Sequence, residues 1–168
     1  MNSIINLARL ISVCGEVKGR KKLQKIVHLL QAAGHHEDFG YEFGYLHYGP
    51  YAHGVKHDLE SLKVQDLVRE DETIAVEHPS YVYTASEELR SGLETIGLGD
   101  DPSWAELARY LKDLTPQRLE AASTIVFLRE RGFDSDRLKQ RFDELKPSLS
   151  REWSEAKSLA DRVLSPEK

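Results

Sequence analysis

The side chains best suited to chemistry in this sequence are the histidines and one local run of cations, both in its first half. Between residues 15 and 36, five lysines and arginines accompany a single glutamate. Because phosphate binding needs only positive charge and suitable donors, this density indicates a nucleic-acid surface. A solvated helix face without a ligand is the alternative, since short charge runs usually have that role. The cations of this segment are Lys18, Arg20, Lys21, Lys22 and Lys25.

A second set of polar side chains follows the dipeptide Gly49-Pro50. Apolar residues at helical spacing predict a helix there, with an outer face free to reach base edges or phosphates. Two acids on the same helix, Asp58 and Glu60, count against nucleic-acid binding. The candidate contact residues are Tyr51, His53, Lys56, His57 and Lys63.

The histidines of this helix also raise the question of a metal. His53 and His57 are spaced i, i+4, and His47 or Asp58 is near enough in sequence to add a ligand. That spacing is common by chance, and no cysteine or His-Glu motif supports it. We therefore predict no metal site and no cofactor. A glycine-rich phosphate loop and a nucleophile elbow are also missing from the sequence, so we expect a non-catalytic protein.

The densest group of aromatic residues lies between positions 41 and 51. Aromatic content predicts a strand over residues 41–48, ended by Gly49-Pro50, with Pro50 as the first residue of the next helix. The aromatic side chains of one short strand cannot all point inward. An exposed face would anchor a protein partner, an alternative to nucleic acid. The candidate partner-binding residues are Tyr41, Phe43, Tyr45 and Tyr48.

The order of the predicted elements indicates how these residues are positioned. Two amphipathic helices, the second over residues 19–34 with a basic outer face, precede the aromatic strand and the next helix. A hairpin over residues 73–76 and 81–84 follows, then a helix begun by a capping box at 84–87. This order predicts an α+β, mostly helical chain: a winged helix-turn-helix domain in residues 1–98.

A stretch with linker character, residues 97–102, separates that domain from the rest of the chain. For residues 103–168 we predict a C-terminal helical subdomain that packs on the first domain or forms a homodimer. The predicted N-caps of its helices are Ser103, Thr115, Asp134 or Ser135, and Ser150.

Several segments resemble known families. Residues 19–27 (GRKKLQKIV), 48–51 (YGPY) and 58–62 (DLESL) resemble the YwgA-like family of bacterial proteins, and residues 122–128 extend the match more weakly. The helix with KLQK before a Gly-Pro turn is similar to the Panacea antitoxin domain, which usually has Trp before Gly-Pro. Residues 81–86 resemble the exit from the wing in bacterial winged-helix regulators. The resemblance implies a winged-helix-like fold. The Panacea similarity implies neutralisation of a protein partner, as in toxin–antitoxin or defence systems.

The totals are those of a globular chain. Of its 168 residues, 40% are hydrophobic and 30% charged, and no apolar run approaches a membrane span. A basic leader is missing, and the single Cys14 fits a reducing compartment, so we expect a cytoplasmic protein. We predict a winged-helix transcription regulator that binds DNA, although the net charge of −5 is mildly unfavourable. The alternative is an antitoxin-like or adaptor module that binds a protein.

Overall fold

The fold is α+β and mostly helical, with a small antiparallel sheet, as the sequence predicts. A computed structural model describes residues 2–47, 49–74 and 79–165. The helices are α1 (Ser3–Cys14), α2 (Arg20–Leu30), α3 (His36–Phe39), α4 (His53–Val64), α5 (Glu87–Thr95), α6 (Ala105–Lys112), α7 (Pro116–Glu130), α8 (Ser135–Leu145) and α9 (Trp153–Leu164). The strands are β1 (Glu16–Lys18), β2 (Gly44–Leu46), β3 (Gly49–Tyr51), β4 (Val68–Thr73) and β5 (Ser80–Ala85).

The three-stranded sheet has the order β1-β5-β4, and both pairings are antiparallel. Val17 of β1 lies opposite Tyr83 of β5, which in turn lies opposite Glu70 of β4. A β4–β5 hairpin is present as predicted, and β5 contains the predicted strand 81–84. The prediction of its first strand at 73–76 is wrong, because β4 is Val68–Thr73 and only residue 73 is shared. Residues 75–78, at its turn, lie outside the described residues. Strand β1 was not predicted from the sequence, because three residues are too few to show a period.

The prediction of one strand over residues 41–48 is wrong. Residues 41–43 are irregular, and the short strands β2 and β3 form a separate hairpin. Gly49, with φ of 94°, and Pro50 therefore belong to a strand, and α4 begins only at His53. Proline is tolerated in such a short edge strand because its missing N–H faces no ladder partner.

The predicted second helix also ends earlier than expected. The α-helix ends at Leu30 and is followed by a wider helical turn, Gln31–His35, in which Gly34 has φ of 106°. The predicted basic outer face is incomplete, because Lys25 and His28 are each only 3% exposed. Helix α7 packs against α2 and covers that side. Only the N-terminal part of α2 presents cations to solvent.

One continuous hydrophobic core joins the two predicted parts of the chain. Helix α1 packs on α6, while α2 packs on both α6 and α7. The core therefore includes Leu7 and Leu23 from the first part together with Trp104 and Ile125 from the second.

The helix starts in the second part only partly follow the predicted caps. Thr115 caps α7 by accepting a hydrogen bond from the Arg118 amide at 3.1 Å, as expected. Asp134 is the N-cap residue of α8, without a side-chain cap bond. The caps predicted at Ser103 and Ser150 are wrong, because α6 begins at Ala105 and Ser150 lies inside a 3₁₀ turn, Pro147–Glu152. The capping box at 84–87 is replaced by Ser86, which accepts from the Leu89 amide at 3.1 Å.

Candidate nucleic-acid interface

A groove with a cationic rim lies between the N-terminal half of α2 and the first turns of α4. We call it the basic groove. Its floor is apolar and consists of Leu23, Val55 and Leu59, and its volume is about 240 Å³. Among the described residues that line it, Glu60 is the only carboxylate, against four cations. The cations are Arg20, Lys21, Lys25 and Lys56, and Tyr51 also contributes to the wall.

Arg20 and Lys63, two of the predicted nucleic-acid contacts, are held in a polar network at the base of the β4–β5 hairpin. Arg20 Nε donates to Tyr83 Oη at 2.8 Å, and Tyr83 Oη donates to Glu70 Oε2 at 2.6 Å. Lys63 Nζ approaches Glu70 at 3.0 Å and Glu60 at 3.2 Å. The network neutralises both cations and fixes the hairpin against α2 and α4.

Glu70 is the centre of that network. Burial alone would raise the pKa of Glu70, but hydrogen bonds from Tyr83 and Lys63 and the nearby charges hold it below its usual value. Burial and the hydrogen bond to Glu70 raise the pKa of the Tyr83 phenol. Glu70 is therefore an ionised acceptor at neutral pH, and the phenol is its donor.

Lys18 and Lys22 also have partners. Lys18 is exposed and lies 3.7 Å from Glu16, a weak surface pair. Lys22 Nζ donates to the Lys112 carbonyl at 2.7 Å, and burial lowers its pKa. Lys21 is exposed on the groove rim. Lys18 and Lys21 are thus exposed cations of the predicted basic segment.

Lys25 is buried and is used inside the protein. Its Nζ donates to the Pro50 carbonyl at 2.8 Å. Burial, together with the charges of Lys146 and Lys21, lowers the pKa of Lys25 to about 8, while Glu120 opposes that shift. From the other side, Lys146 Nζ donates to the His47 carbonyl at 3.0 Å. The two lysines thereby fix the β2–β3 hairpin.

Gln24 makes the most specific contact between α2 and the entry to α4. Its side-chain amide donates to the Ala52 carbonyl and accepts from the Ala52 amide, both at 2.9 Å. Both residues are buried. No feature of the sequence distinguishes Gln24 from a solvent-facing glutamine, and its role was missed.

His28 lies beside Lys25 but has a structural environment. Its Nδ1 is 2.7 Å from Ser123 Oγ, and its ring lies 4.9 Å from that of Phe43. Burial, and then the charge of Lys25, lower the pKa of His28 to about 3. The imidazole is therefore neutral, and its burial leaves a substrate no access to this His–Ser pair.

The first turns of α4 carry three exposed residues among the predicted contacts. His53, Lys56 and His57 are all exposed, and the Tyr51 ring packs edge-on against His53 at 5.0 Å. These side chains share one edge of the helix next to the groove. Within the described ranges, no group of three or more His, Cys, Asp or Glu residues is arranged to hold a metal ion.

The predicted partner-binding aromatic residues lie mostly inside the fold. Tyr41 is buried, and its Oη donates to Asp58 at 2.6 Å. Phe43 and Tyr45 are partly buried; Tyr45 packs on Phe127 with ring centroids 5.5 Å apart. Tyr48 lies outside the described residues. These three residues occupy alternate positions, which lie on one face of an extended chain, so their rings can all turn inward.

No protein-family model and no curated protein matches this sequence. The similarity to the YwgA-like family and to the Panacea domain therefore stays a prediction. In the part of the chain that the structure describes, no helix has both the length and the apolar character needed to cross a bilayer.

Proposed function

We propose that the protein is a non-catalytic regulator that binds nucleic acid through the basic groove and the adjoining edge of α4. The observation that carries this proposal is the charge balance of the groove. Lys21 and Lys56 are exposed on its rim, and Glu60, the one carboxylate among the described lining residues, is already paired with Lys63. The other two cations of the lining are engaged within the protein, Arg20 by Glu70 and Lys25 by the Pro50 carbonyl. A cleft with one sign of charge concentrates field lines and attracts polyanions, even on a protein of net negative charge.

The order of elements supports a winged helix-turn-helix arrangement as part of the same proposal. Helix α1, strand β1, helix α2, helix α4 and the β4–β5 hairpin occur in this order, with α3 and the β2–β3 hairpin between α2 and α4. The hairpin joins β1 in one sheet with β5 in the centre. In this proposal α4 is the recognition helix, and the hairpin is the wing.

The proposed contacts come from the exposed cations and the imidazoles. Lys21 and Lys56 would bind phosphates, whereas His53, His57 and Tyr51 lie where base edges would approach α4. The wing is not a contact in this proposal, because Asp71 and Glu72 on β4 are exposed and would repel phosphate. Such binding is electrostatic in origin and should weaken steeply with salt.

The test is fluorescence anisotropy with a labelled random-sequence duplex at low salt. We expect the double variant Lys21→Glu/Lys56→Glu to abolish binding, because two attractive charges become repulsive. The matched control is Lys139→Glu/Lys157→Glu, which makes the same charge change at an exposed position on α8 and a partly exposed position on α9. Equal affinity of the two double variants, or no binding by the parent, would refute the proposal.

A protein partner is the second candidate, in line with the antitoxin-like alternative. The acidic edge of β4 favours it, since Asp71 and Glu72 are exposed next to Ile74, whose side chain is 99% exposed. An acidic edge with an exposed apolar residue fits a basic protein segment.

We place this candidate, like the first, in the cytoplasm, where a reduced Cys14 is expected. Dimerisation through the C-terminal helices stays a separate prediction.

A further inference from the structure

We propose that the outer edge of β4 binds an extended basic segment of a protein partner, which adds to the sheet as a fourth, antiparallel strand. This mode of binding rests on the protein-partner candidate above and defines how that partner is recognised. It does not require nucleic-acid binding by the basic groove. Its basis is a strand edge without a neighbouring strand, which carries exposed acids and ends beside an exposed apolar residue.

Strand β4 lies at one edge of the three-stranded sheet. Strand β5 occupies the centre, so β4 has a strand on one side only. Alternate residues of an edge strand point their backbone N–H and C=O groups away from the sheet. In the part of the chain that the structure describes, no hydrogen bond joins the backbone of residues 69–73 to an element other than β5. The outward backbone groups of β4 can therefore pair with an added strand.

The shape of β4 also suits strand addition. Its pairing with β5 runs in one continuous register, from Val68 opposite Ala85 to Thr73 opposite Ser80. Bulges, prolines and short length are common means of blocking a strand edge, but β4 pairs without a bulge, has six residues and contains no proline. The opposite edge of the sheet, β1, is only three residues long. An added strand therefore gains more hydrogen bonds at β4 than at β1.

The charge of this edge indicates which segment would bind. Asp71 and Glu72 are exposed on β4, next to the exposed Arg69. Glu70 is already paired with Lys63 at 3.0 Å. Among the ion pairs of the described residues, neither Asp71 nor Glu72 has a cationic partner. A second copy of β4 would bring these carboxylates towards their equivalents, and like charges opposite each other destabilise a sheet. The charge thus disfavours a second copy and favours a basic segment.

The alternation of the strand defines the pattern of the partner. Asp71 and Glu72 are successive residues, so they point to opposite faces of the sheet. An added strand therefore needs two successive basic residues, one opposite each carboxylate. Ile74, one residue beyond the end of β4, is 99% exposed and offers an apolar contact. In the antiparallel direction, the recognised segment reads apolar, any residue, basic, basic.

The first test uses the peptide TVTKKVT, which has this pattern, and the charge-reversed peptide TVTEEVT. Each peptide is titrated into the full chain and followed by ¹H–¹⁵N correlation spectra. We expect saturable shifts of the β4 and β5 amides with TVTKKVT, and at least tenfold weaker binding of TVTEEVT, because its acids would face Asp71 and Glu72. No binding of TVTKKVT, or shifts confined to the basic groove or the C-terminal helices, would overturn the proposal.

The second test separates strand addition from charge attraction alone. N-methylation removes a backbone donor, and it blocks pairing only where the amide points towards β4. Two versions of TVTKKVT are compared, each methylated at one of the two alternate sets of residues. We expect one version to lose binding and the other to bind within about threefold of the unmethylated peptide. Equal effects of the two sets would overturn strand addition. If both versions still bind and TVTEEVT does not, the protein-partner candidate survives without this mode of binding.

The third test changes the protein. Asp71→Lys/Glu72→Lys should reverse the preference, so that TVTEEVT binds at least tenfold more tightly than TVTKKVT. The control Asp136→Lys/Glu144→Lys makes the same charge change at exposed positions on α8 and should bind both peptides like the parent. An unchanged preference in the β4 variant would contradict the proposal. Because neither peptide is a nucleic acid, these outcomes are independent of the anisotropy experiment.

Discussion

Lys25 is the residue at which burial and charge conflict most directly. Its ammonium group donates to the Pro50 carbonyl, and no hydrogen bond to a carboxylate accompanies it among the described contacts. Burial therefore makes the charged ammonium form of Lys25 less stable in the folded protein than in water. The groups that set its titration are Glu120, Lys146 and Lys21.

The Lys25 ammonium predicts an unusual dependence of stability on pH. Its pKa is about 8 in the folded protein and 10.5 ordinarily, so above pH 8 the unfolded chain binds more protons and stability rises with pH. Between pH 7 and 9 the gain is about 1 kcal/mol. Lys25→Met should abolish this rise, as measured by urea unfolding at several pH values. Lys139→Met, at an exposed site, should keep it. A parallel rise in Lys25→Met and the parent would contradict the assignment.

Gln24 provides a second prediction at the scale of one residue. Replacing it with Met keeps the volume but leaves the buried Ala52 amide and carbonyl without their partner. An unsatisfied buried group costs about 1–3 kcal/mol, so Gln24→Met should lower the free energy of unfolding by about 2–4 kcal/mol. Gln140→Met is the control, because Gln140 is exposed and makes only a long contact with Glu144. Equal stabilities of the two variants would show that this pair is not a structural clamp.

At the scale of the elements, the negative charge of the β4–β5 hairpin provides a test of how nucleic acid would lie on the protein. Asp71→Lys/Glu72→Lys replaces the acidic edge of β4 with a basic one. If the protein binds nucleic acid through the groove, the variant should bind a duplex about tenfold more tightly at low salt, with a steeper salt dependence. Asp136→Lys/Glu144→Lys on α8 makes the same charge change away from the groove. Weaker duplex binding by the hairpin variant would argue against the proposed orientation.

The long, periodic elements could be predicted from the sequence, and the short ones could not. The stripe of Val55, Leu59 and Leu62 indicates α4, and those residues are buried. By contrast, β1 and the β2–β3 hairpin consist of three-residue strands, and β1 pairs with β5, which is distant in the sequence. Such strands carry no period of their own, so tertiary contacts decide them.

The candidate site could be predicted in position but not in detail. The density of charge in residues 18–25 predicts where the basic groove lies, and its use as a nucleic-acid surface stays a prediction. Sequence alone does not show which lysines face solvent, because backbone carbonyls can accept from a lysine anywhere in the fold. Lys22 and Lys25 meet such carbonyls, those of Lys112 and Pro50. Glu70 and Tyr83, which hold Arg20, are likewise distant from it in sequence.

At the scale of the whole molecule, the basic groove depends on the C-terminal helices. Helix α7 packs on α2, and α6 packs on α1. The Trp104 ring of the second predicted part packs against the Phe39 ring of the first, with ring centroids 5.2 Å apart. Both rings are buried. The position of α2, and with it one wall of the groove, is set by residues beyond position 103.

This shared core predicts that the chain unfolds as one unit. Both tryptophans, Trp104 and Trp153, lie in the second part, whereas far-UV circular dichroism reports helices throughout. We expect the two signals to give coincident urea transitions.

A core substitution tests the same expectation. Leu119→Ala, which empties a buried position on α7, should lower the free energy of unfolding by about 2–5 kcal/mol and shift both midpoints equally. Ile96→Ala, at an exposed position on the C-cap of α5, should shift neither. A fluorescence transition that moves alone in Leu119→Ala would mean that residues 1–98 fold independently. In that case residues 1–98 would form both walls of the basic groove without α7. The proposed binding sites would then have to be present in residues 1–98 alone.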